Sequence, residues 1–415
     1  MRRINRMRPF LRNERGVALP LALMAFVVLG ALSAALLAVG SSEVQIASNH
    51  LHGTQAFFLA EAGLEHAYSV LRITPTLVTT NPPNSLTTVP GIPADTPLGG
   101  FGRYTAQYRS AGVNTNTVLV VSTGTSATGG AQRVLRTSMS TSFTANNAIL
   151  TSGPLTISGN PTVTGQCGSV HTNNNLTMSG NPSISGAATA SGTYTVTGSP
   201  SVGPGSGGGQ PQHTVPVINP TDFLNAAKAS LPANQVFQMK ANGQVLDGNN
   251  NLITTLSSGG RYNQWLYTAG GPAQWRITGA TGVDGVYYLE GNVKVEGNPG
   301  SPSTPWVTTL IATGDLIIEG NPTIQTSLTD TLFIAGLDIK ISGNPSNGFN
   351  GLIAAHEQLS LSDNPTINGF LIAEDASSTS STVTSNTISG NSTITYNCGL
   401  NTPLQGPLQI LSWGL

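Results

Sequence analysis

A Gly-Asn-Pro tripeptide that recurs beyond residue 158 constrains the fold more than any other feature of the sequence. Consecutive copies lie 21 residues apart in a first pair and 23, 23 and 20 residues apart in a later group. A fixed period of this length is typical of repeat architectures, in which each unit stacks on the next. The copies are centred on Asn160, Asn181, Asn298, Asn321, Asn344 and Asn364, the last with Asp363 in place of glycine.

Apolar residues keep a constant position within each copy. The side chains five and three residues before the asparagine are apolar in almost every copy, as in Leu316 and Ile318. This alternation indicates a strand with one face turned inward. Short rungs of this kind suit a right-handed parallel β-helix better than a β-sandwich. We predict that the asparagines stack in a column at one corner, where glycine supplies a positive φ and the residue before proline is extended.

An uncharged apolar run near the N-terminus predicts a membrane-spanning helix. Residues 17–40 carry no charged side chain, and as a helix they would extend ~36 Å, enough to cross a bilayer core of about 30 Å. Six arginines and one glutamate precede residue 17, so the positive-inside rule places residues 1–16 in the cytoplasm and the rest outside. Apolar residues at helical spacing predict that the helix continues to about residue 72. They are Val44, Ala47, Leu51, Phe58 and Ala62.

Three interpretations of this segment remain open. A cleaved secretory signal would be cut after the small residues at 38–40, and a plain membrane anchor would stay uncut. A prepilin-type leader would be cut after Gly16 on the cytoplasmic side, with the apolar helix retained. The continuing helix favours the third interpretation, because a removed signal peptide has no reason to be followed in phase by a long amphipathic helix.

Two motifs in this region resemble the PilX N-terminal family of type IV pilus minor pilins. They are ERGVAL at residues 14–19 and QAFFLAEAGL at residues 55–64, and the resemblance covers about residues 12–72. It implies a processing site at Arg15, Gly16 and Val17, with cleavage after Gly16 by prepilin peptidase and methylation of Val17. It also implies that the helix takes part in filament assembly. The candidate assembly residues are Leu21, Phe57, Phe58 and Glu61.

Leu21 departs from the pattern of major pilins, in which the fifth residue after the cleaved glycine is glutamate. That carboxylate is thought to neutralise the N-terminal amine of a neighbouring subunit inside the filament core, where an unpaired charge is costly. The resemblance to tip-type minor pilins and tip pseudopilins, which lack the glutamate, predicts that this subunit belongs at a filament end. The alternative is that Leu21 is only a residue of a membrane anchor.

The sequence predicts an α+β chain that is mainly β, with a pilin-like first part and a β-helix-like second part. Strands are expected at residues 103–109, 117–123 and 132–140, and a short helix at residues 222–230. Six segments follow from the changes in composition: a basic leader at 1–16, the transmembrane and assembly helix at 17–72, a small antiparallel β region at 73–146, first coils at 147–202, a Gly-rich linker and insertion at 203–290, and main coils with a C-terminal segment at 291–415.

Charge argues against nucleic-acid binding, because the chain from residue 17 onward has 11 basic and 17 acidic residues and no basic patch to neutralise phosphates. No familiar catalytic motif occurs, and we expect neither catalytic residues nor a cofactor. Asp315 and Asp338 recur six residues before the asparagine, and we expect them to form solvated columns with Glu296 and Glu319. A weak Ca²⁺ site between Asp315 and Asp338 is the alternative.

Cys167 and Cys398 lie near opposite ends of the array. A disulfide tolerates only about 7 Å between Cα atoms, and two cysteines many coils apart in a regular array exceed that separation. We therefore expect no intramolecular bond between them unless the C-terminal segment doubles back.

The sequence favours a non-catalytic minor pilin or pseudopilin that is anchored in the bacterial inner membrane and then enters a pilus or pseudopilus. Its expected partners are other minor pilins, pilus assembly proteins and prepilin peptidase. The rival class is a membrane-anchored β-helix enzyme or carbohydrate-binding surface protein, because parallel β-helices include polysaccharide lyases. The sequence does not distinguish a pilus from a secretion pseudopilus, and it does not name a ligand for the β-helix.

Overall fold

The computed structural model describes residues 18–74, 76–79, 82–111, 116–128, 130–345 and 348–414. It divides the chain into two compact units. The helical unit comprises Met1–Ser140 and Gln409–Leu415, and the solenoid unit comprises Thr141–Leu408. The solenoid unit is therefore an insertion within the sequence of the helical unit. The sequence predicts that the C-terminal segment follows the main coils of the β-helix. Its last residues, Gln409–Leu415, belong to the helical unit instead.

Within its described residues, the helical unit contains two helices and a six-stranded sheet. The elements are α1 (Ala18–Ile73), α2 (Thr76–Thr79), β1 (Thr87–Thr88), β2 (Thr96–Pro97), a 3-10 turn (Gly99–Phe101), β3 (Gly102–Ser110), β4 (Thr117–Ser126), β5 (Gln132–Ser142) and β35 (Gln405–Gly414). The sheet order is β1-β3-β4-β5-β35, with β2 also paired to β3, and the three strands predicted from the sequence correspond to β3, β4 and β5.

The C-terminal part of α1 packs on the sheet through small residues. A Cβ on Gly124 of β4 would lie 2.1 Å from the Ala56 carbonyl oxygen, and a Cβ on Gly63 would lie 2.1 Å from Ser122 Oγ. Helix and sheet approach this closely only because both positions are glycine. The buried face of α1 consists of Ala56, Leu59, Ala60, Gly63, Leu64, Ala67 and Leu71.

The predicted fold class is confirmed: after the apolar helix and small sheet, the chain forms a parallel β-solenoid of about 11 turns. Within the described residues its strands form an 11-stranded, a 6-stranded and a 12-stranded sheet. Equivalent residues of successive coils pair in register, as Leu155 does with Leu176 and Leu176 does with Tyr194. Inward-facing apolar side chains such as Ile157 and Ile318 are fully buried.

The coil elements in chain order are β6 (Ile149–Thr151), β7 (Leu155–Gly159), β8 (Thr162–Thr164), β9 (Val170–Thr172), β10 (Leu176–Gly180), β11 (Ser183–Ile184), β12 (Ala188–Ala190), β13 (Tyr194–Gly198), β14 (Ser201–Val202), α3 (Pro220–Ser230), a 3-10 turn (Ala233–Gln235), β15 (Val236–Met239), β16 (Gln244–Leu246), β17 (Leu252–Thr255), β18 (Arg261–Tyr262), β19 (Trp265–Thr268) and β20 (Gln274–Ile277). They continue with β21 (Gly285–Leu289), β22 (Asn292–Val295), β23 (Trp306–Ala312), β24 (Leu316–Ile318), β25 (Ile324–Gln325), β26 (Thr331–Ala335), β27 (Ile339–Ile341), β28 (Phe349–Asn350), β29 (Leu352–Ala355), β30 (Leu359–Leu361), β31 (Thr366–Asn368), β32 (Leu371–Ala373), β33 (Asn386–Ile388) and β34 (Thr393–Thr395).

The coils do not stack in chain order. The first coil, β6 to β8, lies in the interior of the stack, and β9 to β14 extend from it to one end. A connector of residues 203–230 then leads to β15, and β15 to β20 form the opposite end. From there β21 to β34 return until β32, β33 and β34 pair with β6, β7 and β8. Within the predicted Gly-rich linker and insertion at 203–290, β15 and β20 pair in parallel with β21 and β22 and so continue the main sheets.

The connector passes along the outside of the 12-stranded sheet. Its His213 main chain hydrogen-bonds to Asn173, next to β9, and the Ile218 amide donates to Glu374, next to β32. The predicted short helix is α3, which begins two residues earlier than expected. Its N-cap is Asn219, whose side chain accepts a hydrogen bond from the Thr221 amide, and Pro220 occupies the first turn, where a missing N–H is tolerated.

Candidate assembly helix and polar columns of the solenoid

The first part of α1 is exposed over its apolar run. α1 is long and apolar enough to cross a membrane, and none of its most apolar window is buried within the described part of the chain. Leu21 lies in this region and is 62% exposed. Arg15, Gly16 and Val17 lie outside the described residues, so cleavage after Gly16 stays a prediction.

An exposed apolar stripe continues along α1 beyond the length that a bilayer covers. Val44, Leu51 and Phe58 are 70%, 56% and 60% exposed and lie seven residues apart, so they share one helix face. The helix continues over the stripe, as the spacing predicts, and ends at Ile73. The helix packs on its own sheet through a different face, and the stripe is left open.

The QAFFLAEAGL motif contributes to both faces of α1. Ala56, Leu59, Ala60 and Gly63 contact the sheet, whereas Phe58 faces away from it. Phe57 and Glu61 are half-buried, and the Phe57 ring meets the Phe58 ring edge-on with centroids 5.8 Å apart. The motif therefore joins an internal packing surface to an external apolar one.

The six repeat asparagines lie in hydrogen-bonded columns along one corner of the solenoid. The amide of Asn321 donates to Asn298 Oδ1 at 2.7 Å, and the amide of Asn344 donates to Asn321 Oδ1. Farther along the stack the side-chain amides bond to one another at 3.0 to 3.4 Å. This second column runs from Asn364 through Asn391 and Asn160 to Asn181.

The glycines that precede the repeat asparagines are required for one of two structural reasons. Gly159, Gly180 and Gly343 have positive φ, as predicted, and so does Asp363 with φ 65°. Gly297 and Gly320 do not. A Cβ on Gly320 would lie 1.9 Å from the Gly297 carbonyl oxygen of the preceding coil, so this glycine is needed for close backbone stacking.

Asp315 and Asp338 are buried, and the expectation of solvated columns is wrong for them. Each carboxylate caps the next coil: Asp315 Oδ1 accepts from the Asp338 amide and Asp338 Oδ1 accepts from the Gln358 amide. Their second oxygens accept from Thr382 Oγ1 and the Val383 amide. Because protein donors occupy all four oxygens, these residues form an internal polar ladder. Among the described residues, no group of three His, Cys, Asp or Glu is arranged to hold a metal ion.

Glu296 and Glu319 do lie at the surface, where both form ion pairs with Lys294 at 2.9 and 3.0 Å.

Residues 376–384 form a strap over the buried aspartates, and sequence reasoning missed its anchor. Glu357 is fully buried and accepts hydrogen bonds from Ser377 Oγ, from Thr379 and from the Ser380 amide. Burial alone would raise the pKa of Glu357, but these hydrogen bonds outweigh it and lower the pKa to about 2. A degenerate copy of the repeat, Gly-Asn without the proline, lies at Asn391. Its 27-residue interval from Asn364 was the available signal, because it exceeds the intervals within the two groups of repeats and contains the strap.

Cys167 and Cys398 form a disulfide, with Cα atoms 5.4 Å apart. The expectation that they stay unpaired is wrong, because the condition stated for pairing is met. The last coil returns to the first, and β34 pairs directly with β8.

Comparisons with known proteins find only weak similarity. No family model matches the chain, and no curated protein matches it. The chain is similar to the competence-associated pilin ComZ from Thermus thermophilus, with a TM-score of 0.31, 14% identity, and coverage of 88% of this chain and 97% of that chain. It is also similar to an ice binding protein from an Antarctic biological consortium, with a TM-score of 0.23, 13% identity, and coverage of 61% and 88%. Neither TM-score reaches the level of a shared fold.

Proposed function

We propose that this chain is a non-catalytic minor pilin or pseudopilin that takes part in assembly of a type IV pilus or related pseudopilus and displays its solenoid outside the cell. The observation that carries the proposal is the division of α1. Its first part exposes apolar side chains all round, whereas its second part packs small residues on an antiparallel sheet. A long helix with these two parts can leave a membrane and enter a helical filament core without unfolding its own sheet.

The exposed stripe favours a protein partner in addition to lipid. Residues 18–40 would extend ~35 Å as a helix, so they already span the bilayer core. Val44, Leu51 and Phe58 lie beyond that length and are still apolar and exposed. Contiguous exposed apolar side chains outside a membrane mark a contact site. We assign that contact to the apolar helices of other minor pilins.

The processing and placement of the subunit belong to the same proposal. Prepilin peptidase would cut after Gly16 and leave Val17 as a methylated N-terminus, with residues 1–16 on the cytoplasmic side of the inner membrane. Leu21 offers no carboxylate to a neighbour's amine. The inserted solenoid unit is also larger than the helical unit and would have to clear its neighbours at every repeat of a fibre. Both features favour a few copies at the filament tip.

Labelling tests the placement. Immunogold detection of a tag at the C-terminus is expected to cluster at filament ends, and the mature chain is expected to start at Val17. Gly16→Trp should leave a full-length precursor in the membrane. Regular labelling along the shaft would contradict the tip placement, and a mature chain starting at Ser41 would establish an ordinary signal peptide.

A matched pair of substitutions tests the stripe. Leu51→Gln should reduce recovery of the subunit in filaments by several fold, because the stripe then carries a polar group into an apolar contact. Asn49→Gln lies on another face of the same exposed helical turn and should leave recovery unchanged. Equal recovery of both variants would show that the stripe makes no assembly contact.

A further inference from the structure

A groove of about 590 Å³ lies on the solenoid unit, between the loop before β20 and the turns that follow β21 and β23. Its volume falls within the range of small-molecule sites. The residues that matter for its chemistry are Ala241, Pro272, Tyr288, Glu290, Asn292 and Thr313. All of them belong to one compact unit, and none is assigned a part in assembly.

Tyr288 supplies the observation that points to a ligand. The residue is only 8% exposed, and within the described ranges its hydroxyl has no hydrogen-bond partner. Neighbouring tyrosines are satisfied: Tyr287 donates to the Val283 carbonyl oxygen and Tyr267 to the Ala241 carbonyl oxygen. The ring is buried while the hydroxyl stays open to the groove, so it is free to bond a ligand. Because Tyr288 lines the groove, a polar group bound there would complete its hydrogen bonding.

Glu290 lines the groove, and Lys240 beside the groove balances its charge. Lys240 Nζ lies 2.8 Å from Glu290 Oε1 and 5.7 Å from the centroid of the Tyr288 ring. Glu290 Oε2 accepts a hydrogen bond from the Ala241 amide at 3.0 Å. One ammonium and one carboxylate in contact offer donors and acceptors without a net charge. This arrangement suits a neutral ligand that carries several hydroxyl groups and gives no advantage to an anion.

The remaining lining supplies further donors and an apolar surface. Asn292 Oδ1 accepts from the Asp315 amide, and its Nδ2 has no partner among the residues that the structure describes. Thr313 Oγ1 accepts from the Gly291 amide, so its own hydrogen is free to donate. Pro272 and Ala273 add apolar atoms beside these groups. Hydroxyl-binding groups next to a small apolar surface match a pyranose ring, which has hydroxyls on its edge and C–H groups on its faces.

We propose that this groove binds a neutral hexopyranose unit of a glycan. The proposal is independent of filament assembly, since it rests on residues of the solenoid unit alone. It gives the displayed unit a ligand of stated chemistry, held by Tyr288, Asn292, Thr313 and Glu290.

Calorimetric titration of the full chain in a zwitterionic detergent without a sugar headgroup tests the proposal. The probes are maltohexaose, cellohexaose, mannohexaose and chitohexaose, with hexagalacturonate as the anionic comparison. At least one neutral hexasaccharide should bind saturably, and hexagalacturonate should bind more weakly. Tyr288→Phe should weaken the neutral ligand at least fivefold, because it removes the hydroxyl and keeps the ring.

Two further variants make the result specific. Ala241→Trp should abolish binding by filling the groove, with an unchanged melting profile as the check on folding. Tyr194→Phe removes a hydroxyl at the opposite end of the stack and should bind as the unsubstituted chain does. The proposal is overturned if no neutral probe binds, if hexagalacturonate binds most tightly, or if Tyr288→Phe binds like Tyr194→Phe.

Discussion

Glu357 shows how one buried carboxylate can fix a long segment. Its ordinary pKa is about 4.3 in an unfolded chain, and in the folded chain the pKa is lowered to about 2. A lowered folded pKa stabilises the fold above the unfolded value, and that stability is lost as the pH falls through about 5 toward 2. The contribution at neutral pH is roughly 3 kcal/mol. Asp338 acts in the opposite direction, because burial raises its pKa.

We predict that Glu357→Gln destabilises the solenoid unit at pH 7, since donors that faced a carboxylate then face an amide. The difference in free energy of unfolding from the unsubstituted chain should shrink by more than half between pH 7 and pH 3. Urea unfolding followed by circular dichroism at both pH values measures it. Glu319→Gln, at the surface, is the control and should show no such change. A constant difference for Glu357→Gln would contradict the anchoring role.

Ile318, the last residue of β24, and Glu319, which follows it, test the inward and outward register. Ile318 is fully buried, whereas the Glu319 side chain is partly exposed and pairs with Lys294. Ile318→Asp should cost several kcal/mol, because it buries an unpaired charge. Glu319→Ser should cost less than about 1 kcal/mol, as is usual for an exposed ion pair. Thermal unfolding compares them, and equal losses would contradict the register.

The structural roles of individual residues could be predicted where those residues belong to a repeat. The stacked asparagines and the positive φ at Gly159 follow from the Gly-Asn-Pro pattern, since the residue before proline is restricted. The burial of Asp315 could not be predicted, because the strap that covers it comes from a non-repeating segment. Tyr288 and Lys240 precede the later group of repeats, and they meet only through strand pairing.

At the scale of elements, the seam between the first and last coils joins segments that are distant in the sequence. β34 pairs with β8, and the disulfide of Cys167 and Cys398 closes a loop with a sequence separation of 231. A cross-link over so long a loop restricts the unfolded chain strongly.

We predict that Cys398→Ser lowers the stability of the solenoid unit by about 2–5 kcal/mol. Guanidinium unfolding should show a lower midpoint for this variant than for the oxidised chain. Reductant should lower the midpoint of the unsubstituted chain to nearly the same value and leave the variant unchanged. A midpoint that does not respond to reductant in the unsubstituted chain would contradict a stabilising role of the bond.

Element type was predictable and element order was not. Alternating apolar residues indicated strands β3 to β5 and most coil strands, because each strand buries one face. Which coil lies next to which depends on pairing between parts of the chain that share no local pattern. The return of β35 to the first sheet was missed for the same reason.

At the scale of the whole molecule, the chain enters the solenoid unit after β5 and leaves it into β35, and these two strands are neighbours in one sheet. Thr137 Oγ1 of β5 donates to the Ser412 carbonyl oxygen of β35 at 2.7 Å. The Phe143 amide donates to the Leu404 carbonyl oxygen. The two contacts show that the strands are antiparallel, and residues 140 and 409 lie between these contacts. A two-residue turn can bridge such a pair.

We predict that a chain in which Asn-Gly replaces residues 141–408 keeps the helical unit folded. Its sheet loses no strand, and the face of α1 that contains Ala60 and Gly63 keeps its contacts. Proteolysis of the detergent-solubilised chain should spare α1 and β3 to β5 as it does in the full chain. The control is a chain ending at residue 140, which lacks β35 and should be cut more rapidly. Equal sensitivity of the two short chains would show that the solenoid unit is needed for folding.

Entry in the interior of the stack leaves both ends of the solenoid free to change during evolution. Duplication or loss of a coil near β14 or near β20 disturbs neither the junction with the first sheet nor the Cys167–Cys398 bond. Each added coil lengthens the stack by ~4.8 Å, which one or two more extended residues in the connector can span. A lineage of such proteins can therefore vary the length of the displayed surface in steps of one coil while the part that anchors it stays the same.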